Sequence, residues 1–219
     1  MSKPVKRRPY DSPLRADQAR LTSQTIVDAA AALFSEKGYS GVSVDAIAEA
    51  AGVSRATVFT SVGGKPALLR EAFRLAFGRA AGAPEVSMPL VERPRSREVR
   101  SRATARGYLE GYAEICTALH GHMARVYEAI REGSRADPEV DTLWKDVNAE
   151  RRQGAATIVA DVKSRARLRD GLDDVDAADV VWVLNDPVHF HMLVLERGWP
   201  VEKFRAWLAR ALEAELLGR

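Results

Sequence analysis

The chain has 219 residues, of which 46% are hydrophobic and 29% charged, and its formal net charge is +3. This length and apolar content allow a small and a medium-sized domain with buried cores. A single cysteine excludes an intrachain disulfide framework. The most apolar stretch, 180–195, is too short and too polar to span a bilayer, and the N-terminus lacks the apolar run of a signal peptide. We therefore expect a cytoplasmic protein without a membrane partner.

Positive charge is concentrated in the N-terminal part. Residues 1–80 contain twelve Lys and Arg against seven Asp and Glu, a net charge of +5, whereas residues 81–219 carry −2. Residues 1–16 form a basic, proline-containing arm that we expect to be disordered. Such an arm either contacts DNA, by entering a minor groove or following phosphates, or is a solvated leader without a function.

Four helices are predicted next, at about residues 17–37, 44–51, 55–61 and 65–80. Ser43 and Ser54 precede the second and third of these helices, where a hydroxyl can accept a hydrogen bond from a first-turn backbone N–H. Gly52 permits a sharp turn between the two helices. This spacing predicts a helix-turn-helix, and the alternative is an ordinary helical hairpin. The second helix would present four residues to a major groove, namely Arg55, Ala56, Thr57 and Thr60.

The residues on either side extend the pattern. An amphipathic helix ends at Gly38, and Gly63-Gly64-Lys65 precedes a further apolar helix. Over residues 20–75 this order resembles the DNA-binding domain of TetR-family transcriptional regulators. The resemblance implies a helix-turn-helix domain at 17–64, a connecting helix at 65–80, and a helical effector-binding and dimerisation domain at 81–219.

Some positions depart from the family pattern. Phe59 replaces a tyrosine that commonly donates to a DNA phosphate, so the resemblance here implies only packing and proximity to the backbone. Thr60 replaces a frequent histidine, and Ser61-Val62 replace an aromatic pair. Lys65 matches the family's lysine at the start of the fourth helix, which meets a phosphate.

Specific DNA contacts follow from these residues. Arg55 is expected to bind a guanine edge, because a guanidinium can donate to both guanine acceptors. The residues expected to hold phosphates are Ser43, Ser54, Thr57 and Lys65.

The remaining sequence predicts five more helices, which makes an all-α fold of about nine. A Gly- and Pro-rich connection at 82–95 precedes them. They are expected at about 97–119, 123–130, 137–162, 175–196 and 201–217.

The last two helices are predicted to form a homodimer. Between residues 177 and 195 apolar side chains occur on nearly every face, and one subunit cannot easily bury them all. Two copies would form a four-helix bundle and place two recognition helices about 34–36 Å apart, as a palindromic operator requires. The alternative is that these helices close the core of a monomer. The expected interface residues are Val181, Leu184, Val188, Phe204, Trp207, Leu208 and Leu212.

Polar and aromatic groups on otherwise apolar faces are the candidates for an effector pocket. Asn185 beside Pro187 suggests a helix kinked around a cavity. The aromatic and aliphatic character favours a small, mostly hydrophobic effector. For each candidate an ordinary core or interface position is the alternative. The candidates are Tyr108, Tyr112, Tyr127, Trp144, Asn148, Asn185 and His189.

No enzyme chemistry is predicted. The histidine pairs 120/122 and 189/191 point about 200° apart on a helix, so neither can chelate one metal. With no metal, cofactor or catalytic residue expected, we predict a TetR-like repressor that binds double-stranded DNA and is released by a small effector. The alternatives are an activator or ligand-independent regulator of the same fold, and an all-α storage protein or enzyme with a relict DNA-binding motif.

Overall fold

The computed structural model of the protein describes residues 13–80 and 93–218. These residues form ten α-helices and one π-helical segment and contain no strand, which confirms the all-α prediction. None of these helices is long and apolar enough to cross a membrane. The predicted arm at 1–16 and connection at 82–95 lie largely outside the described residues. The elements are α1 Pro13–Lys37, α2 Val44–Ala50, α3 Arg55–Ser61, α4 Lys65–Ala80, α5 Pro94–Arg100, α6 Ala105–Gly133, α7 Pro138–Lys163, α8 Asp174–Leu184, α9 Pro187–Phe190, the π-helical segment His191–Glu196, and α10 Val201–Leu217.

The fifth and sixth predicted helices are one continuous helix, α6, and the short helix α5 precedes it. The prediction of a helix end near residue 119 is therefore wrong. Glycine inside a helix costs only about 1 kcal/mol, and buried residues continue at helical spacing on both sides of Gly121. Burial of both halves of α6 outweighs that local cost.

The prediction of a single helix at 175–196 is also wrong. Asn185 is the C-cap of α8, and Asp186 is the N-cap of α9, where its carboxylate accepts a hydrogen bond from the Val188 N–H at 2.9 Å. Pro187 is the first residue of α9, a position where its missing N–H costs nothing. The helix is broken rather than kinked, and Asn185 lies between two helices.

Two hydrophobic cores organise the chain. The first joins α1–α4 to the C-terminal half of α6 and the N-terminal half of α7. Among its fully buried residues are Phe34, Val58 and Leu68 from the N-terminal helices, and Ile130 and Val140 from the later ones. The core thus continues past the domain boundary predicted after the fourth helix, and the N-terminal helices pack directly on α6.

The second core contains the other halves of α6 and α7 together with α8, α9 and α10. Four predicted interface residues are buried in it. These four side chains have no exposed surface in a single copy, and the interface itself stays a prediction. The other three, Leu184, Val188 and Trp207, are half-buried. The four buried residues are Val181, Phe204, Leu208 and Leu212.

Two glycines provide opposite tests of this packing. In Gly133→Ala, at the end of α6, the new Cβ would lie 2.7 Å from the Tyr39 ring and 3.1 Å from Val140. We expect this overpacking to lower the free energy of unfolding by about 1–3 kcal/mol. Gly154→Ala on α7 meets no atom within 4 Å and should raise that free energy by about 0.5–1 kcal/mol. Urea unfolding followed by circular dichroism measures both changes, and a stabilised Gly133→Ala variant would contradict the close contact.

Candidate functional site

Two serine caps and one glycine shape the helix-turn-helix. Ser43 Oγ accepts a hydrogen bond from the Ala46 N–H at 3.1 Å, and Ser54 Oγ accepts one from the Thr57 N–H at 3.1 Å. Gly52 in the turn has a φ of 66°, a conformation that side chains other than glycine rarely adopt. The three residues have the structural roles predicted for them.

The exposed face of this motif carries an ion pair and an aromatic ring. Arg55 and Asp45 of α2 are 58% and 63% exposed, and their side chains are 2.6 Å apart. The guanidinium carbon of Arg55 also lies 5.5 Å from the centre of the Phe59 ring, which is 46% exposed. Asp45 therefore orients Arg55. An exposed pair of this kind contributes only about 0–1 kcal/mol, so a DNA base can replace Asp45 as the partner.

The hydroxyl groups of α3 are partly engaged within the motif. The oxygens of Ser54 and Thr57 lie 2.8 Å apart, and the Thr60 hydroxyl contacts the carbonyls of Ala56 and Thr57 at 3.0 and 3.1 Å. A serine hydroxyl that accepts a backbone hydrogen bond still has its own hydrogen to donate. The Ser43 hydroxyl can thus still donate a hydrogen bond to a phosphate.

Lys65, the first residue of α4, lies over the ring of Tyr39. Its Nζ is 4.1 Å from the ring centre. Burial lowers the pKa of Lys65 by more than the nearby Glu132 and Asp137 carboxylates raise it. The lysine predicted to meet a phosphate is therefore also part of an interdomain contact.

Tyr39 is the centre of that contact. Its backbone N–H and that of Ser40 donate to the Glu132 carboxylate at 2.9 and 3.2 Å, and its hydroxyl donates to Asp137 at 2.6 Å. The bond from Tyr39 lowers the pKa of Asp137. Burial acts to raise the pKa of Glu132, but the bonds from Ser40 and Tyr39 outweigh it and the pKa is lowered. We refer to Tyr39, Lys65, Glu132 and Asp137 as the Tyr39 contact.

In the C-terminal domain, most predicted pocket residues belong to one polar cluster that contains Arg151. The Arg151 guanidinium donates to the Tyr127 hydroxyl at 3.1 Å and to Asn148 Oδ1 at 2.9 Å. The ring centres of Tyr127 and Trp144 are 5.2 Å apart. The structure thus brings together five of the seven predicted residues, Tyr112, Tyr127, Trp144, Asn148 and Asn185.

Arg151 closes the broken end of α8. It donates to the carbonyls of Trp182 and Asn185 at 2.8 and 3.1 Å and lies 3.1 Å from the Asp186 carboxylate. The last carbonyls of a helix lack partners within the helix, and a cation is favourable at that end. Since the Arg151 side chain is only 12% exposed, these contacts are largely protected from water. Arg151 therefore holds the break between α8 and α9 in place.

A second group of buried polar side chains adjoins this cluster. The Asn185 amide donates to the Tyr112 hydroxyl at 2.6 Å. Asn185 Oδ1 and His120 Nδ1 are buried without a hydrogen-bond partner among the described residues. Burial lowers the pKa of His120 to about 3 and raises that of Cys116 to about 12, so both side chains are neutral at pH 7. Buried polar atoms without partners cost free energy.

Two predicted pocket residues have other partners. The Tyr108 hydroxyl donates to Asp161 at 2.9 Å, and His189 Nε2 lies 3.0 Å from the Val183 carbonyl. Neither is hydrogen-bonded to the Arg151 cluster. Within residues 13–80 and 93–218, no three His, Cys, Asp or Glu side chains are grouped as metal ligands.

The sequence predictions missed the residues that organise both regions. Arg151 lies seven residues after Trp144 on an otherwise apolar helical stripe, and a charge at that spacing was the available signal. Tyr39 and Glu132 offered no comparable signal, because 93 residues separate them in the chain.

A surface cleft of about 350 Å³ opens between α7 and α8 beside the Arg151 cluster. Asn148 belongs to both, since it lines the cleft and accepts a hydrogen bond from Arg151. The lining residues are Trp144, Lys145, Asn148, Ala149, Arg152 and Trp182.

Comparison with known proteins agrees with this geometry. The profile of bacterial regulatory proteins of the tetR family matches residues 26–72, and no curated protein matches the sequence significantly. A protein assigned as a transcriptional regulator from Saccharomonospora viridis, solved in complex with choline, is 23% identical, with a TM-score of 0.67 over 91% of this chain and 100% of that one. NalD, the secondary repressor of the MexAB-OprM multidrug efflux pump in Pseudomonas aeruginosa, is 19% identical, with a TM-score of 0.64 over 91% and 98%.

The matched domain and the shared fold define a helix-turn-helix DNA-binding protein with a helical C-terminal domain. Residues 26–72 thus match the DNA-binding domain of the tetR family, and the chain as a whole shares the fold of solved transcriptional regulators.

The Tyr39 contact predicts a loss of stability in acid. The pKa values of Glu132 and Asp137 are lowered from their ordinary values of 4.5 and 3.8. Their ionised forms therefore stabilise the folded state above those values, and this contribution is lost as the pH falls through the lowered pKa values. We expect Glu132→Gln and Asp137→Asn to lower the free energy of unfolding at pH 7 and to flatten its decline between about pH 5 and pH 3.

Urea unfolding across this pH range makes the measurement. Glu150→Gln, at an exposed carboxylate on α7, is the matched control and should follow the wild-type curve. An unchanged pH dependence in both contact variants would contradict the assignment.

Proposed function

We propose that this regulator is a cytoplasmic homodimeric repressor. It binds a palindromic operator and releases it when a small, mostly hydrophobic effector binds the C-terminal domain. The observation that carries the proposal is that α6 belongs to both cores. A change around the Arg151 cluster can therefore reach the DNA-binding helices through one rigid element.

On the DNA side, Arg55 leaves Asp45 and binds a guanine edge. Two N–H groups of its guanidinium then donate to the two acceptor atoms of the guanine. Ser43 retains a free hydroxyl hydrogen for a phosphate, and Lys65 supplies a positive charge at the start of α4. Ala56, Thr57 and Thr60 face the major groove, and Phe59 lies close to the DNA backbone. Phosphates are held by Ser43, Ser54, Thr57 and Lys65.

Exposed apolar residues support the dimer. Val183 of α8, Met192 of the π-helical segment and Val201 of α10 are 50%, 50% and 43% exposed. All three belong to the C-terminal elements, where exposed apolar side chains are candidates for an interaction surface, and a symmetric dimer buries the same face of both copies. The half-buried residues Leu184, Val188 and Trp207 complete the proposed face.

On the effector side, the ligand binds beside the Arg151 cluster. Binding there moves the end of α8 and the adjacent α6, and Glu132 at the far end of α6 then shifts the loop that precedes α2. Release requires the effector to bind the form with displaced α8 and α6 more tightly than the DNA-binding form, by about 1–3 kcal/mol or more in binding free energy. The fold shared with the repressor NalD and with a choline-bound regulator supports repression and control by a small molecule.

Two substitutions distinguish base contact from phosphate contact. Arg55→Ala should weaken operator binding by about 1–3 kcal/mol and relax the sequence preference. Lys65→Ala should weaken operator and random DNA alike and reduce the salt dependence of binding by about one phosphate contact. Fluorescence anisotropy at several salt concentrations measures both effects. Unchanged operator preference in Arg55→Ala would show that another face of α3 reads the bases.

A charge in the proposed dimer face should separate the subunits. Val183→Glu would bury two carboxylates without partners in the interface, so sedimentation at micromolar concentration should shift from dimer to monomer. Leu21→Glu, at a 59% exposed leucine on α1, is the matched control and should remain dimeric. A dimeric Val183→Glu variant would place the interface elsewhere.

The experiment that tests the function is selection of fragmented genomic DNA by the purified protein at near-physiological salt. An enriched palindrome identifies the operator, and a reporter gene behind it then distinguishes repression from activation. Uniform enrichment would contradict a specific regulator. Higher reporter expression in the presence of the protein would show that it is an activator and not a repressor.

A further inference from the structure

The cleft between α7 and α8 has an unusual charge balance. None of its lining residues is acidic. Arg152 has no carboxylate partner among the described residues. Its guanidinium instead stacks on Trp182, with the central carbon 4.8 Å from the ring centre. Lys145 adds a second positive charge, although its ammonium lies 2.7 Å from Asp141. The cleft is therefore positively charged and contains one cation available to a ligand.

The same cleft has aromatic walls. Trp144 and Trp182 both line it, and the indole N–H of Trp182 is buried without an acceptor among the described residues. The volume of about 350 Å³ lies at the lower end of the range of small-molecule sites. A flat aromatic ring fits these walls.

A cationic ligand is disfavoured here. Indole faces attract quaternary ammonium groups, but the Trp182 ring already lies within 5.5 Å of the Arg151 guanidinium carbon and 4.8 Å of that of Arg152. A third positive charge would be repelled by both. A carboxylate would be attracted, because a guanidinium can donate two parallel hydrogen bonds to it.

We propose that this cleft binds an aromatic carboxylate, with the ring against Trp144 and Trp182 and the carboxylate on Arg152. The proposal rests on the function proposed above and names the class of its effector. Asn148 and Trp182 connect the cleft to Arg151, because Arg151 donates to the side chain of Asn148 and to the carbonyl of Trp182. An occupied cleft thus acts directly on the helix end that Arg151 holds.

Three probes of one shape test the charge preference by isothermal titration calorimetry on the full chain. The probes are 2-naphthoate, the neutral 2-naphthalenemethanol and the cationic (2-naphthylmethyl)trimethylammonium. We expect naphthoate to bind about tenfold or more tightly than the alcohol, and the ammonium to bind weakest. Equal binding of the three probes, or tightest binding of the ammonium, would overturn the proposal, as would no binding of naphthoate.

Substitutions then locate the site. Arg152→Gln, at an exposed residue, should weaken naphthoate roughly ten- to hundredfold and leave the alcohol unchanged. Trp144→Leu should weaken naphthoate and alcohol alike. Arg125→Gln, at an exposed arginine on α6, is the matched control and should behave as wild type. Unchanged naphthoate affinity in Arg152→Gln would overturn the assignment of the carboxylate.

Titration of the operator complex with naphthoate separates this proposal from the proposed function. Release of DNA that requires Arg152 supports both. Binding through Arg152 without release supports the anion site and contradicts its role as the effector site. Release that is insensitive to Arg152→Gln overturns the cleft proposal and leaves effector control standing.

Discussion

The orientation of the DNA-binding helices depends on a carboxylate at the end of α6 that binds two backbone N–H groups. Glu132 accepts these bonds from Tyr39 and Ser40, in the loop between α1 and α2. Gly38 precedes the loop with a φ of 68°, and a Cβ at this position would collide with Glu132. Because backbone N–H groups cannot change rotamer, the contact positions the whole loop. Glu132 therefore ties the end of α6 to the turn that leads into the helix-turn-helix.

The Arg151 cluster shows how a buried charge can stabilise a break between two helices. A buried ion pair is weak evidence for stability, because desolvation offsets much of the attraction. Arg151 nevertheless satisfies the Asp186 carboxylate and two carbonyls at the end of α8. Those carbonyls lack helical partners because Asn185 and Pro187 interrupt the helix. The charge thus holds the break in place, and a ligand that alters these bonds would alter the break.

Three arginines of this chain show how exposure changes the role of one chemical group. Arg55 has an exposed carboxylate partner, Asp45, that contributes little in water. Arg151 has a largely buried partner and is structural. Among the described residues Arg152 has an aromatic partner only, which leaves its guanidinium able to bind an anion. Solvent access and the identity of the partner decide among these roles, and sequence patterns reveal neither.

Local patterns in the sequence determined the helical class, the helix-turn-helix with Ser43 and Ser54 as caps, and the glycine turn, because caps and turns depend on residues within about four positions. The same patterns misplaced the helix ends near Gly121 and Asn185, and they did not reveal that residues such as Phe204 are fully buried within one copy. Only tertiary structure decided these points, since burial against distant helices outweighs a local preference of about 1 kcal/mol. The Tyr39 contact and the Arg151 cluster likewise join residues far apart in the chain, and no periodicity records which distant partner a polar side chain meets.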